Sequence, residues 1–212
     1  DHFLIGLSKM TGITTFDGWM ASKKSVKLGG VAPGGATDDV PKMLEATLGL
    51  PIKVVTGYKG TGPVRLAFDA GEVDGVCNAW ESFKSTWRKQ LESGDVVIIL
   101  QATLKAHPEL PNIPVGFDFL KTEEARKLFQ IVTKVHGPST RPFFLPPGTP
   151  KERVQILRNA FMATMKDPDF LADAKKAKLD LDPDDGAGLE RNVKEIFDLE
   201  PALVVKLKEI LK

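Results

Sequence analysis

Cysteine is almost missing from this chain. Cys77 is the one thiol among 212 residues, so no internal disulfide can form and thiol usage says nothing about compartment. Histidine is scarce as well. His2, His107 and His136 stand far apart, and none has a neighbour at metal-ligand spacing. An excess of one charge is also missing. Lys+Arg 29 against Asp+Glu 28 leaves +1, which excludes the basic footprint of a nucleic-acid-binding domain. No stretch approaches the ~20 consecutive apolar residues of a membrane-crossing helix. The longest apolar run, Val96-Val97-Ile98-Ile99-Leu100, has the length of a strand. The opening residues Asp1-His2-Phe3-Leu4-Ile5 form no signal peptide, and without a leading Met the chain is expected to be a processed product or a fragment. Hydrophobic residues at 42% and charged ones at 27% are ordinary for a folded globular chain.

What is present alternates. Phe3–Leu7, Val26–Gly30, Ile52–Thr56, Val73–Asn78 and Val96–Gln101 read as strands. Between them lie helical patterns. Thr15–Lys23 carries Phe16, Trp19 and Met20 on one face. Val40, Met43, Leu44 and Leu48 recur at helical spacing up to a capping Gly49, with Pro41 in that helix's first turn. Pro63–Ala70 stops at Gly71. This alternation predicts a largely parallel sheet. His107–Pro114 holds three prolines and must be a loop. Thr122 is placed to cap a helix with Ala125, Leu128, Phe129 and Val132 inward, ended by Gly137-Pro138. Phe143-Phe144-Leu145 resembles a short strand. Thr149-Pro150-Lys151-Glu152 has the order of a capping box, and Val154, Leu157, Phe161 and Met165 form the expected buried stripe of its helix. From Asp167-Pro168 onward the pattern is helical, with breaks near Pro183 and Pro201.

Few groupings carry chemistry. Gly29-Gly30-Val31-Ala32-Pro33-Gly34-Gly35-Ala36-Thr37 follows a strand and opens a helix, but lacks the Lys and Ser/Thr of a phosphate-binding loop. Gly57-Tyr58-Lys59-Gly60-Thr61-Gly62 fails the dinucleotide spacing. A strand-to-helix glycine loop presents N–H groups that suit an anion or polar small molecule; it also serves as a plain turn. Asp38 and Asp39 complement the helix dipole there, and are expected to face outward, because facing a carboxylate they would repel it. Cys77 reads as a buried strand cysteine, no GxSxG elbow exists, and Ser22-Lys23-Lys24-Ser25 reads as a helix end. In Gly71-Glu72-Val73-Asp74-Gly75, Asp74 sits early in a strand that runs to Asn78. Trp80, Phe83 and Trp87 follow; Phe83 and Trp87 read as core, while Trp80, nearest the strand end, is the exception.

Five segments in this order resemble the solute-binding receptors of tripartite tricarboxylate transporters. They are Val26–Thr37, Val54–Thr61, Leu66–Gly75, His107–Pro114 and Arg141–Pro150, the last followed by an amphipathic helix and Lys166-Asp167-Pro168. The resemblance covers nearly the whole chain. It implies an α/β fold like the type 2 periplasmic binding proteins, in which two lobes joined by crossover strands close on a small carboxylate-bearing solute. It implies no catalytic residue and no cofactor, a small organic acid as ligand, a membrane permease as partner and a periplasmic location.

Matched segment by segment, residues 6–140 would be one complete α/β lobe, the second of the family. Residues 1–5 and 141–212 would be crossover strands and the mainly helical C-terminal part of the first lobe, whose opening strands are lacking. A fragment of this kind is expected to hide the apolar stripe of residues 154–165 against the C-terminal helices around Phe197, Leu203 and Leu207, or in a homodimer. By the same resemblance, Ala32, Gly34, Gly35, Ala36 and Thr37 would hold a carboxylate through backbone N–H groups and the Thr37 hydroxyl. Tyr58 and Gly60 would line the next turn, and Asp74, Asn78 and Trp80 the floor. The rival reading is an enzyme or a ligand-sensing regulator built on the same two-lobe fold.

Overall fold

The computed structural model describes residues 1–137, 141–177, 179 and 181–212. Two compact units emerge, Asp1–Gly137 with Glu200–Lys212, and Pro138–Leu199.

The first unit contains β1 (Phe3–Ser8), α1 (Phe16–Ala21), β2 (Val26–Gly29), α2 (Ala36–Leu48), β3 (Ile52–Val55), α3 (Thr61–Asp69), β4 (Gly75–Ala79), α4 (Trp80–Lys84), α5 (Arg88–Glu92), β5 (Val96–Gln101) and α6 (Glu123–His136). The strands form one sheet in the order β3-β2-β4-β1-β5. β2 runs parallel to both β3 and β4, while β1 runs antiparallel to β4 and to β5. Four strands therefore point one way and β1 runs against them. Successive residues of a strand face opposite sides, and helices cover both. Ile5, Leu28 and Cys77 face a core completed by Val40, Met43 and Leu44 of α2 and by Leu128, Phe129 and Val132 of α6. Leu4, Val76 and Val96 face a second core with Val64 and Phe68 of α3, Trp80 and Phe83 of α4, and Trp87.

Local chemistry explains several boundaries. The Thr122 hydroxyl accepts the Ala125 N–H at 3.1 Å at the start of α6, Glu123 and Glu124 sit in its first turn, and Lys134 and His136 in its last, as the helix dipole favours. Thr122→Ala should destabilise the chain by about 1 kcal/mol, and Thr122→Ser by much less; urea unfolding measures both. Gly49 ends α2 in the left-handed region at φ 68°, its N–H bonded to Glu45.

Other expectations need correction. α2 begins at Ala36, directly after the glycine loop, so Pro41 is the sixth helical residue and lies beyond the first turn. Met20 is 42% exposed while Phe16 and Trp19 are buried, so only two of those three share the inner face. β4 begins at Gly75 rather than Val73. Pro138 lies outside the described residues.

The second unit holds α7 (Lys151–Thr164), α8 (Pro168–Lys176) and α9 (Gly186–Phe197). Phe143-Phe144-Leu145 pairs with no strand among the described residues and is exposed, although Phe143 stacks on Phe161 at 5.4 Å. An apolar run becomes a strand only when a neighbour takes its N–H and C=O groups. Thr149 does not cap α7, since its hydroxyl donates to the Pro146 carbonyl at 2.7 Å and Pro150 takes the cap position. No residue of α7 is buried, and Leu157 is 51% exposed. Helical periodicity marks an apolar face but does not supply the surface that covers it. The chain then returns to the first unit as α10 (Pro201–Ile210), where Leu203, Leu207 and Ile210 pack on the core shared by α2 and α6. Leu203 and Leu207 are therefore spent on the α/β unit, and Phe197 is 83% exposed. No helix among the described residues is long and apolar enough to cross a membrane.

Candidate functional site

Because β2, β3, β4 and β5 share one direction, their carboxyl ends lie along one edge of the sheet, joined by the amino end of the opposed β1. The chain leaves β2 toward β3 on one side and leaves β4 toward β5 on the other. Divergent connections from neighbouring parallel strands open a crevice, the topological switch point where open α/β sheets bind ligands. The glycine loop 30–35 flanks this point from β2, and Asn78, Ala79 and Trp80 flank it from β4.

The glycine loop is built around two carboxyl groups. Val31 donates its N–H to Thr37 Oγ1 at 3.0 Å, Ala32 to Asp38 Oδ2 at 3.1 Å, and Gly34 to Asp39 Oδ1 at 3.1 Å. The Thr37 hydroxyl in turn donates to Asp38 Oδ2 at 2.9 Å. Asp38 is 0% exposed and Asp39 4%, so both point inward, against the outward orientation expected from sequence. The reason is local. The loop carries more N–H groups than its own carbonyls can accept, and the first turn of α2 supplies the missing acceptors. Gly30 is required here, because a Cβ would lie 2.6–2.8 Å from the Asp38 carboxyl. Gly34 takes φ 84°.

This brace limits what the loop can offer an anion. Gly35 N–H bonds to Ala32. The Ala36 and Thr37 amides, the first two of α2, have no acceptor among the described residues, and no side chain caps the helix. α3 starts at the same edge in the same state, with Gly60 at φ 110° before it and no side-chain cap for Thr61 and Gly62. Two helix N-termini thus present open amides and positive dipole ends along one edge. The β2 and β3 loops are tied together there, Gly30 N–H to Val55 at 2.9 Å and Tyr58 N–H to Gly30 at 3.3 Å. Tyr58 packs with Val31 and Leu110 on the core that contains Trp80.

Asn78 is 5% exposed. Its Oδ1 accepts the Ala79 N–H at 3.0 Å, while its buried Nδ2 has no partner among the described residues. Asp74 is elsewhere. It precedes β4, at the opposite edge of the sheet, where its carboxyl accepts the Lys27 N–H at 2.8 Å and its carbonyl accepts the Ser8 N–H at 2.7 Å. It ties β2, β4 and β1 at their far ends. Sequence placed Asp74 early in the strand, but β4 begins one residue later at Gly75, and its distance from the loops follows from strand direction. Trp80 is at the edge, but its indole N–H donates to Glu109, which also pairs with Lys84 at 3.0 Å.

Sequence reasoning missed the group beside Trp80. Gln101, fully buried at the end of β5, accepts from the His107 N–H and lies 2.8 Å from His2 Nε2, and its amide donates to the Leu110 and Ile113 carbonyls. It fixes the proline loop 107–114 against the edge. As the last residue of an apolar run it gives no sequence signal. Cys77 is buried, and burial pushes its thiol well above the usual range, with the Asp38 carboxyl adding to the shift. Among the described residues no group of three or more His, Cys, Asp or Glu could hold a metal ion.

No family model matches the chain, and no curated protein does. Solved structures do. Rpa4515 of R. palustris, solved with adipate, superposes with a TM-score of 0.65 at 18% identity, over 99% of this chain and 65% of that one. The periplasmic binding protein BugD gives 0.65 at 22% identity, over 99% and 66%. A TctC solute-binding protein from Polaromonas, solved without ligand, gives 0.61 at 12% identity, over 97% and 66%. The chain thus spans about two thirds of the length of these proteins. The sheet order, the switch point and these superpositions together give the chain the α/β fold of the TctC- and Bug-type periplasmic solute-binding proteins.

Proposed function

We propose that this chain takes part in capturing a small carboxylate-bearing solute at the carboxyl edge of its sheet, as an extracytoplasmic receptor for a tripartite tricarboxylate-type transporter. The observation that carries this is the switch point between β2 and β4, flanked on one side by the open amides of Ala36 and Thr37 and on the other by the buried, unpartnered amide of Asn78. A carboxylate accepts N–H donors of this kind, and Val31, Tyr58, Trp80 and Leu110 supply apolar surface for the rest of a small organic acid. In this reading the unit Asp1–Gly137 with Glu200–Lys212 carries the solute-facing edge. The solute is handed to a membrane permease in the periplasm, and no bond is made or broken.

Calorimetric titration with adipate, succinate and inorganic phosphate tests the reading. Saturable binding of a dicarboxylate with no response to phosphate is expected. A chain that binds none of the three, or binds phosphate alone, contradicts it.

A further inference from the structure

His136 closes α6, 97 residues from Asp39, yet its Nε2 lies 3.1 Å from Asp39 Oδ2, and both side chains are nearly buried at 10% and 6% exposure. The other oxygen of that carboxyl accepts the Gly34 N–H. Both oxygens of Asp39 thus have a partner, whereas the buried Oδ1 of the neighbouring Asp38 has none among the described residues. The imidazole therefore fixes the carboxyl, and the carboxyl fixes Gly34, the left-handed residue on which the glycine loop turns before α2. Asp38 is braced to Ala32 and Thr37, whereas Asp39 links the loop to α6 through His136.

We propose that His136 is a positioning residue of the solute loop, holding Gly34, and through it the open Ala36 and Thr37 amides, by way of Asp39. The inference rests on the solute-capture reading for its purpose, but its structural part stands separately. The bland alternative is that the pair only joins α2 to α6. Val132 separates the two. It is buried on the same face of α6, one turn before His136, and touches no loop residue through a hydrogen bond.

Amide exchange of Gly34 and Ala32 in the 212-residue chain, followed by NMR under native conditions, tests this together with adipate titration. His136→Leu removes the donor and His136→Gln keeps an N–H. In His136→Leu the Gly34 amide should exchange about tenfold faster or more, the Ala32 amide should keep its rate, and adipate affinity should fall. His136→Gln should restore most of the protection. Val132→Ala should lower global stability yet leave the Gly34-to-Ala32 ratio and the affinity unchanged. An unchanged ratio in His136→Leu, or the same change in Val132→Ala, would overturn the proposal. If the ratio responds while the parent chain binds no dicarboxylate, the positioning role stands and the solute-capture reading fails.

Discussion

Gly75→Ala should destabilise the chain by about 1–3 kcal/mol or more, seen as a lower urea midpoint with an unchanged slope. Gly75 opens β4 in the middle of the sheet, opposite Leu7 of β1 and Leu28 of β2. A Cβ there would lie 2.3 Å from the Gly6 carbonyl oxygen, 2.7 Å from Leu7 Cδ2 and 3.1 Å from Leu28 Cδ2. The side chains could turn aside, but the Gly6 carbonyl is backbone of a strand bonded on both sides. Relief requires β1 and β4 to part where their pairing begins. Gly71→Ala is the contrast. Its φ of 75° strains any side chain, but nothing lies within 4 Å, so the loss should be ~1–2 kcal/mol from conformation alone. Equal midpoints for Gly75→Ala and the parent would show that the strands are not packed as described.

The second large effect is expected at Thr37. Its hydroxyl accepts from Val31 and donates to Asp38, at 8% exposure. Thr37→Ala leaves the half-buried Val31 N–H without its acceptor and removes a donor from a buried carboxyl, a loss of about 1–3 kcal/mol in stability. Because those two bonds shape the loop before the open amides, dicarboxylate affinity should fall roughly tenfold or more, at ~1.4 kcal/mol per decade. Thr37→Ser keeps the hydroxyl and should stay near the parent in both. Calorimetry and urea unfolding of the two variants decide the matter. An alanine variant that binds as the parent does would show that Thr37 serves the helix start and not the solute.

What the sequence disclosed depended on whether the signal was local. Val96–Gln101 is a strand because an apolar run bounded by polar residues has few other options, and the Thr122 helix start is legible because the cap lies three residues from its donor. The glycine loop was visible as an anion-suited turn, yet its N–H groups proved to be largely occupied. Asp38 and Asp39 read as dipole charges, and nothing in their neighbours reveals that the loop folds back onto them. His136 and Gln101 act across 97 and 99 residues, on Asp39 and His2, a separation that no motif spans. Asp74, read as an early strand residue, precedes β4 instead, and its place at the far edge follows from strand direction and from its bond to Lys27. The stripe on α7 has the right period but is only partly covered, with Leu157 exposed, since a period describes a helix and burial describes its neighbours.

One measurement tests the central claim directly: an amide NMR titration of the 212-residue chain with adipate, following backbone N–H groups and the Asn78 side-chain amide. The account predicts that Ala36, Thr37, Thr61, Gly62 and the Asn78 amide shift together and saturate, while Ser8, Lys27 and Asp74 at the opposite edge stay still. Saturable shifts confined to that opposite edge, or none at either edge, would contradict it.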